Sequence, residues 1–146
     1  VTLEPRVVEQ RLKKLDETIR RLEPLAAIPR EAFIADFRTH WAAERGIQLA
    51  AEAALDITNH ILAGHFDRFP ETNEQGLDAL LETGVISAHT RARLRGFGRF
   101  RNILVHGYLE LDVGQVYDHL QRIPADLGAF VQDVVHWLAG AGTATT

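Results

Sequence analysis

The sequence predicts an all-α protein, and three observations carry that prediction. Apolar residues recur at spacings of three and four along most of the chain, no stretch alternates with the two-residue period of a strand, and prolines, glycines and capping residues fall between the periodic runs. Connections are short and no internal repeat is present. A chain of 146 residues suits one domain, and at that size folding buries roughly two thirds of the surface the unfolded chain exposes. The domain is expected over residues 1–139, with 140–146, made only of Gly, Ala and Thr, as a disordered tail.

Each element has its own reason. From Pro5 to about Leu22, Val8, Leu12, Leu15, Ile19 and Leu22 form one buried stripe. Pro5 suits a first turn, and Pro24 is expected to stop the helix because it lacks an N–H. Pro29 opens a short helix with Phe33, Ile34 and Phe37 as an apolar edge leading to Trp41. Ala42 to about Ala63 reads as one long Ala-rich helix, with Leu49, Ala50, Ala53, Ile57, Ile61 and Leu62 at helical spacing and Gly64 at its end. Its small residues admit a neighbouring helix closely, which places it at the centre of a bundle. Thr72 and Gln75 form a capping-box pattern for a short helix closed by Gly84. Ser87 caps the next helix, expected to run as one piece through Leu94, Phe97, Leu104 and Val105 to a kink or end near Gly107. Asp112 and Gln115 open a helix that Pro124 stops, and Pro124 starts a last one carrying Leu127, Phe130, Val131, Val134, Val135 and Leu138.

Composition narrows the function classes. Cys is absent, which excludes a disulfide framework and Cys-ligated zinc and fits a cytoplasmic location. No apolar run approaches the roughly 18 residues of a membrane span, and the first residues, with Glu4 and Pro5, lack the apolar core of a signal peptide, so no membrane partner is expected. The net charge of −4 argues against a protein that coats nucleic acid with its whole surface. Any contact with RNA must be local, and a local patch exists: Arg91, Arg93, Arg95, Arg99 and Arg101 crowd the stretch before His106. The bland alternative is a solvated arginine-rich helix face. Asp56 and His60 lie one helical turn apart without a third ligand, so neither a metal nor another cofactor is expected.

The chemistry concentrates in Arg99-Phe100-Arg101-Asn102-Ile103-Leu104-Val105-His106-Gly107-Tyr108. Arginine offers a planar fork of donors for phosphate oxygens. Histidine moves protons near neutral pH. Together they point to a phosphodiester, and for RNA the substrate's own 2′-hydroxyl can serve as nucleophile. His106 then acts as base or acid, Arg101 holds the scissile phosphate, Asn102 orients the phosphate or the imidazole, and Tyr108 donates to an oxygen or positions His106. Arg95 and Arg99 are the candidate RNA-binding residues beyond the motif. On a regular helix, five residues turn the chain so that His106 points about 140° away from Arg101. Either the backbone departs from α geometry near Gly107, or two copies of the chain complete one site.

The spacing Arg101, four residues, His106, one residue, Tyr108 resembles the Arg-x4-His-x-Tyr motif of HepT-like toxins of the HEPN ribonuclease superfamily. Residues 43–49, followed by Glu52-Ala53 and Asp56-Ile57, are similar to the central helix of those proteins, and the resemblance spans roughly residues 3 to 138. It implies an antiparallel helical bundle of the HEPN type with short additional helices, a homodimer with a composite cleft, and metal-independent endoribonuclease toxicity. It also implies a partner, an MNT-type minimal nucleotidyltransferase antitoxin, and AMPylation of the motif tyrosine, here Tyr108. The alternative within the same fold is a non-catalytic module that docks the nucleotidyltransferase or binds a nucleotide.

Overall fold

A computed structural model describes residues 3–107 and 111–144, with side chains described as far as 141. Seven helices and no strand occur among the described residues: α1 (Pro5–Ala26), α2 (Arg30–Ala35), α3 (Phe37–Phe66), α4 (Asn73–Glu82), α5 (Ala88–Arg93), α6 (Phe97–His106) and α7 (Val113–Ala144). The all-α expectation holds.

Three long helices make the frame. The predicted stripe of α1, Val8, Leu12, Leu15, Ile19 and Leu22, is buried throughout. The helices α1 and α3 run antiparallel, since the Leu3 N–H donates to the Gly64 carbonyl at 3.2 Å at one end. At the other end a Cβ on Gly46 would lie 2.7 Å from Leu22 Cδ2. Gly46 thus permits the close approach that a helix interior otherwise disfavours. In α3, Ala43, Ile47, Ala50, Ala51, Ala54, Ile57, Ile61 and Leu62 are buried, and the helix packs on α1, α2, α4, α6 and α7, at the centre as expected. Leu120, Leu127, Phe130 and Val134 of α7 close the core. Fully burying such a side chain contributes about 1.5–3 kcal/mol, so this layer carries most of the apolar stabilisation.

Several helix boundaries differ from the sequence reading, each for a local reason. The helix α1 continues past Pro24 to Ala26, because a proline so near the C-terminus forfeits only one backbone bond and the Ala27 N–H still reaches the Glu23 carbonyl at 3.2 Å. Pro124 likewise lies inside α7, where buried Leu120, Ile123, Leu127 and Phe130 keep one stripe in register across it. The long central helix starts at Phe37, capped by Asp36, whose carboxylate accepts from the Arg38 N–H at 3.0 Å. That bond and the Thr39 hydroxyl hold the Asp36 carboxyl below its ordinary value. Gly64 does not end the helix; Asp67, at φ 53°, does. The expected single helix from Ser87 is two, because Gly96 takes φ 79° and turns the chain between α5 and α6. Finally, α7 extends to Ala144, well into the tail expected to be disordered.

The short helices are pinned to the frame. Thr72 and Ser87 cap α4 and α5 as predicted, accepting from Gln75 N and Thr90 N at 3.1 Å each. Arg91 joins Asp78 and Glu74 of α4 at 2.7 and 2.9 Å, and Arg93 joins Asp126 of α7 at 2.9 Å. On the far side, Phe33 of α2 packs edge-on against Tyr117, whose hydroxyl donates to the Ile28 carbonyl at 2.7 Å, and Arg30 pairs with Asp118. Phe37 and Trp41, expected as part of an apolar edge, meet edge to face at the exposed surface instead.

Candidate active site

The motif helix α6 sits in a corner between α3, α4 and α7. Its position depends on Gly98, where a Cβ would fall 2.8 Å from Asn73 Cβ at the start of α4. Buried Phe97 and Phe100 anchor the first turn, and partly buried Leu104 packs on the core behind the motif. The helix ends at His106 with Gly107 as its C-cap at φ −105°, a conformation open to any residue. Regular α geometry covers both Arg101 and His106, so the two side chains leave the helix about 140° apart. Within one chain the backbone does not bring them together. Tyr108 lies outside the described residues.

Arg101 faces the central helix. Its Nη2 donates to Glu52 Oε1 at 3.5 Å and its Nη1 to Asn102 Oδ1 at 3.2 Å. Its Nε is buried without a hydrogen-bond partner among the described residues. Glu52 in turn accepts from Gln48 Nε2 at 3.2 Å, which fixes the carboxylate that holds the guanidinium. The motif arginine is therefore oriented by a neighbouring helix while its fork keeps unused donors. Asn102, expected to orient the phosphate or His106, accepts from Arg101 through its Oδ1. Glu52 was missed as a partner because one carboxylate on an Ala-rich helix gives no sign of what it faces. His106 is exposed on the opposite side of α6 and makes no side-chain hydrogen bond to the described residues.

The five-arginine cluster divides into two groups. Arg91 and Arg93 are spent on Glu74, Asp78 and Asp126. Arg95 and Arg99 are exposed and form no ion pair among the described residues. The cluster is thus only partly the solvated face that composition allows.

Residues 15–134 match the family described as Ribonuclease HepT-like, and the chain belongs to that family. It is 27% identical over 115 residues to the tRNA nuclease HepT of Aphanizomenon flos-aquae (strain 2012/KM1/D3), covering 79% of this chain and 78% of the relative. It is 28% identical over 103 residues to the mRNA nuclease HepT of Shewanella oneidensis, covering 70% and 77%. In three dimensions it is similar to YutE of Bacillus subtilis, a cytosolic protein of unknown function, with a TM-score of 0.83 at 19% identity over 95% of this chain and 93% of the other. It is similar as well to the tri-AMPylated HEPN toxin of Shewanella oneidensis, solved in complex with an MNT antitoxin, with a TM-score of 0.79 at 22% identity over 89% and 97%. These likenesses establish the HEPN-type helical bundle.

Proposed function

We propose that this chain is the toxin of a HEPN/MNT pair, an endoribonuclease that cuts RNA without a metal ion at a site shared by two copies of the chain. The observation that carries the reading is the motif helix itself: Arg101, oriented by Glu52 on one face of α6, and His106, exposed on the other, within a HepT-like bundle. Two relatives are named as nucleases of tRNA and mRNA, which supports RNA as the substrate class.

The chemistry follows from the groups present. The 2′-oxygen of the substrate attacks the adjacent phosphorus while an imidazole takes its proton, the 5′-oxygen leaves with a proton returned, and a 2′,3′-cyclic phosphate results. The Arg101 fork stabilises charge that grows on the non-bridging oxygens. Because Arg101 and His106 diverge on one helix, the arginine of one protomer and the histidine of its partner form each site. Two-fold symmetry then yields two such sites per dimer.

Regulation centres on Tyr108. A nucleotidyltransferase antitoxin that adds AMP to this phenol places an anion where the Arg101 fork would receive RNA phosphate, and so silences the enzyme. The solved toxin in an AMPylated state with an MNT antitoxin supports this regulation. A non-catalytic docking module is the second reading, favoured by the engagement of Arg101 by Glu52 and Asn102. Incubation of the purified chain with RNA in excess EDTA, beside His106→Ala, separates the two. Cleavage lost in the variant supports the enzyme, and RNA left intact by the wild type supports the module.

A further inference from the structure

The face of α6 opposite Arg101 borders a cavity that the motif does not use. Arg99, Ile103 and His106 share that face, with Arg99 two turns before His106, about 10 Å along the axis. Beneath it a pocket of about 220 Å³ opens between α6 and α7, lined by Arg93, Arg95, Arg99, His119, Arg122 and Asp126 among others. Four guanidinium groups thus meet a single carboxylate, and Asp126 is already taken by Arg93 at 2.9 Å. Arg95, Arg99 and Arg122 form no ion pair among the described residues.

The wall of the pocket is built rather than incidental. His119 is half-buried and stacks on Phe100 with ring centroids 3.8 Å apart and planes 16° from parallel. Arg122 Nη2 lies 3.2 Å from His119 Nδ1. A guanidinium has only donors, so Nδ1 must accept and the neutral ring carries its proton on Nε2. Burial, and then the Arg122 charge, lower the His119 pKa against the opposing pull of Asp118. The ring is therefore a neutral donor held rigid among cations, an arrangement that suits an anion without adding another charge.

We propose that this pocket is a second phosphate subsite, which holds a backbone phosphate of the RNA strand whose scissile bond lies at His106. Arg95, Arg99 and Arg122 supply the charged donors and His119 a neutral one. The inference rests on the RNA reading above and deepens it. A phosphate held here fixes the register of the strand on the histidine face, while Arg101 of the other protomer meets the scissile phosphate. The volume admits a phosphate group and part of its nucleotide, and nothing of duplex width.

The test is binding, kept apart from cleavage. A fluorescein-labelled 2′-O-methyl oligoribonucleotide lacks the attacking hydroxyl, so anisotropy titrations report affinity alone. Arg122→Gln and Arg95→Gln, both exposed positions, should each weaken binding several-fold, and each should make the slope of log K against log salt shallower, by no more than the roughly 0.7 that one neutralised phosphate contributes. Arg20→Gln, on the distant α1, should do neither. Arg122→Gln indistinguishable from Arg20→Gln overturns the subsite, even if the wild type cuts RNA. A wild type that binds with the Arg122-dependent slope yet leaves unprotected RNA intact upholds the subsite and refutes cleavage. Tighter, Arg122-dependent binding of free AMP than of the oligonucleotide overturns the assignment to RNA.

Discussion

Single substitutions at Arg101 and His106 should each abolish cleavage, yet an equal mixture of the two variants should recover it. Five residues of regular helix separate the side chains by about 140°, so a site that needs both draws one from each protomer. A mixed dimer of Arg101→Ala and His106→Ala has one site lacking both groups and one site lacking neither. With random pairing half the dimers are mixed, and each carries one working site of two, so recovery should reach about a quarter of wild-type activity. Each variant alone should lose on the order of 10²-fold or more, the usual cost of removing a phosphate-stabilising donor or a general acid–base group. Folding should survive. The Arg101–Glu52 pair spans 3.5 Å with side chains 26% and 36% exposed, and such screened pairs contribute at most about 1 kcal/mol. The assay is RNA cleavage in EDTA after the variants are co-refolded, with circular dichroism as the control for helix content. A mixture no more active than either parent, in a sample shown to contain mixed dimers, refutes the shared site.

Co-expression with a cognate nucleotidyltransferase should add AMP mass to the wild-type chain but not to Tyr108→Phe, with cleavage lost alongside; intact-mass spectra read the adduct. Gly98→Ala should cost about 1–3 kcal/mol in urea unfolding, because its Cβ would press within 2.8 Å of a backbone-rooted atom, Asn73 Cβ. Gly46→Ala meets only the tip of Leu22 and gains helix propensity, so it should stay within about 1 kcal/mol of wild type; equal loss at both sites would contradict this account. His119 has a lowered pKa in the fold, so its contribution to stability is present above about pH 6.5 and is lost as pH falls through the folded value. The urea midpoint should therefore drop on acidification more in the wild type than in His119→Gln.

The bundle was legible because burial follows period. Every apolar residue assigned to the α1 stripe is buried, and the Ala-rich run that marks α3 as central does contact five other helices. Pro24 and Pro124, expected to stop helices, lie inside them. A proline removes one donor and crowds one carbonyl, a local cost that a continuous buried stripe such as Leu120, Ile123, Leu127 and Phe130 outweighs. Leu49 and Val135 fit the apolar spacing of their helices yet face outward, since spacing identifies a face only to within one residue's rotation. The motif residues were legible as types and spacing. Their partners were not, since Glu52 is 49 positions from Arg101 and nothing local couples them.

The break at Gly96 decides what the arginine cluster can do. Had α5 and α6 formed one helix, as the spacing from Ser87 suggests, Arg91, Arg95 and Arg99 would share one face within about 80°, with Arg93 pointing away. The positive φ at Gly96 instead ends one short helix and starts another. On the first side Arg91 and Arg93 clamp α5 to α4 and α7. Past the last turn of α5, Arg95 swings to the same pocket as Arg99, and the unpaired donors gather on the histidine face of α6. A β-carbon at position 96 meets no atom within 4 Å, so the requirement for glycine there is conformational rather than steric. Ala at that position would strain the turn by on the order of 1–2 kcal/mol. One backbone angle thus separates the arginines that build the fold from those left for a phosphate.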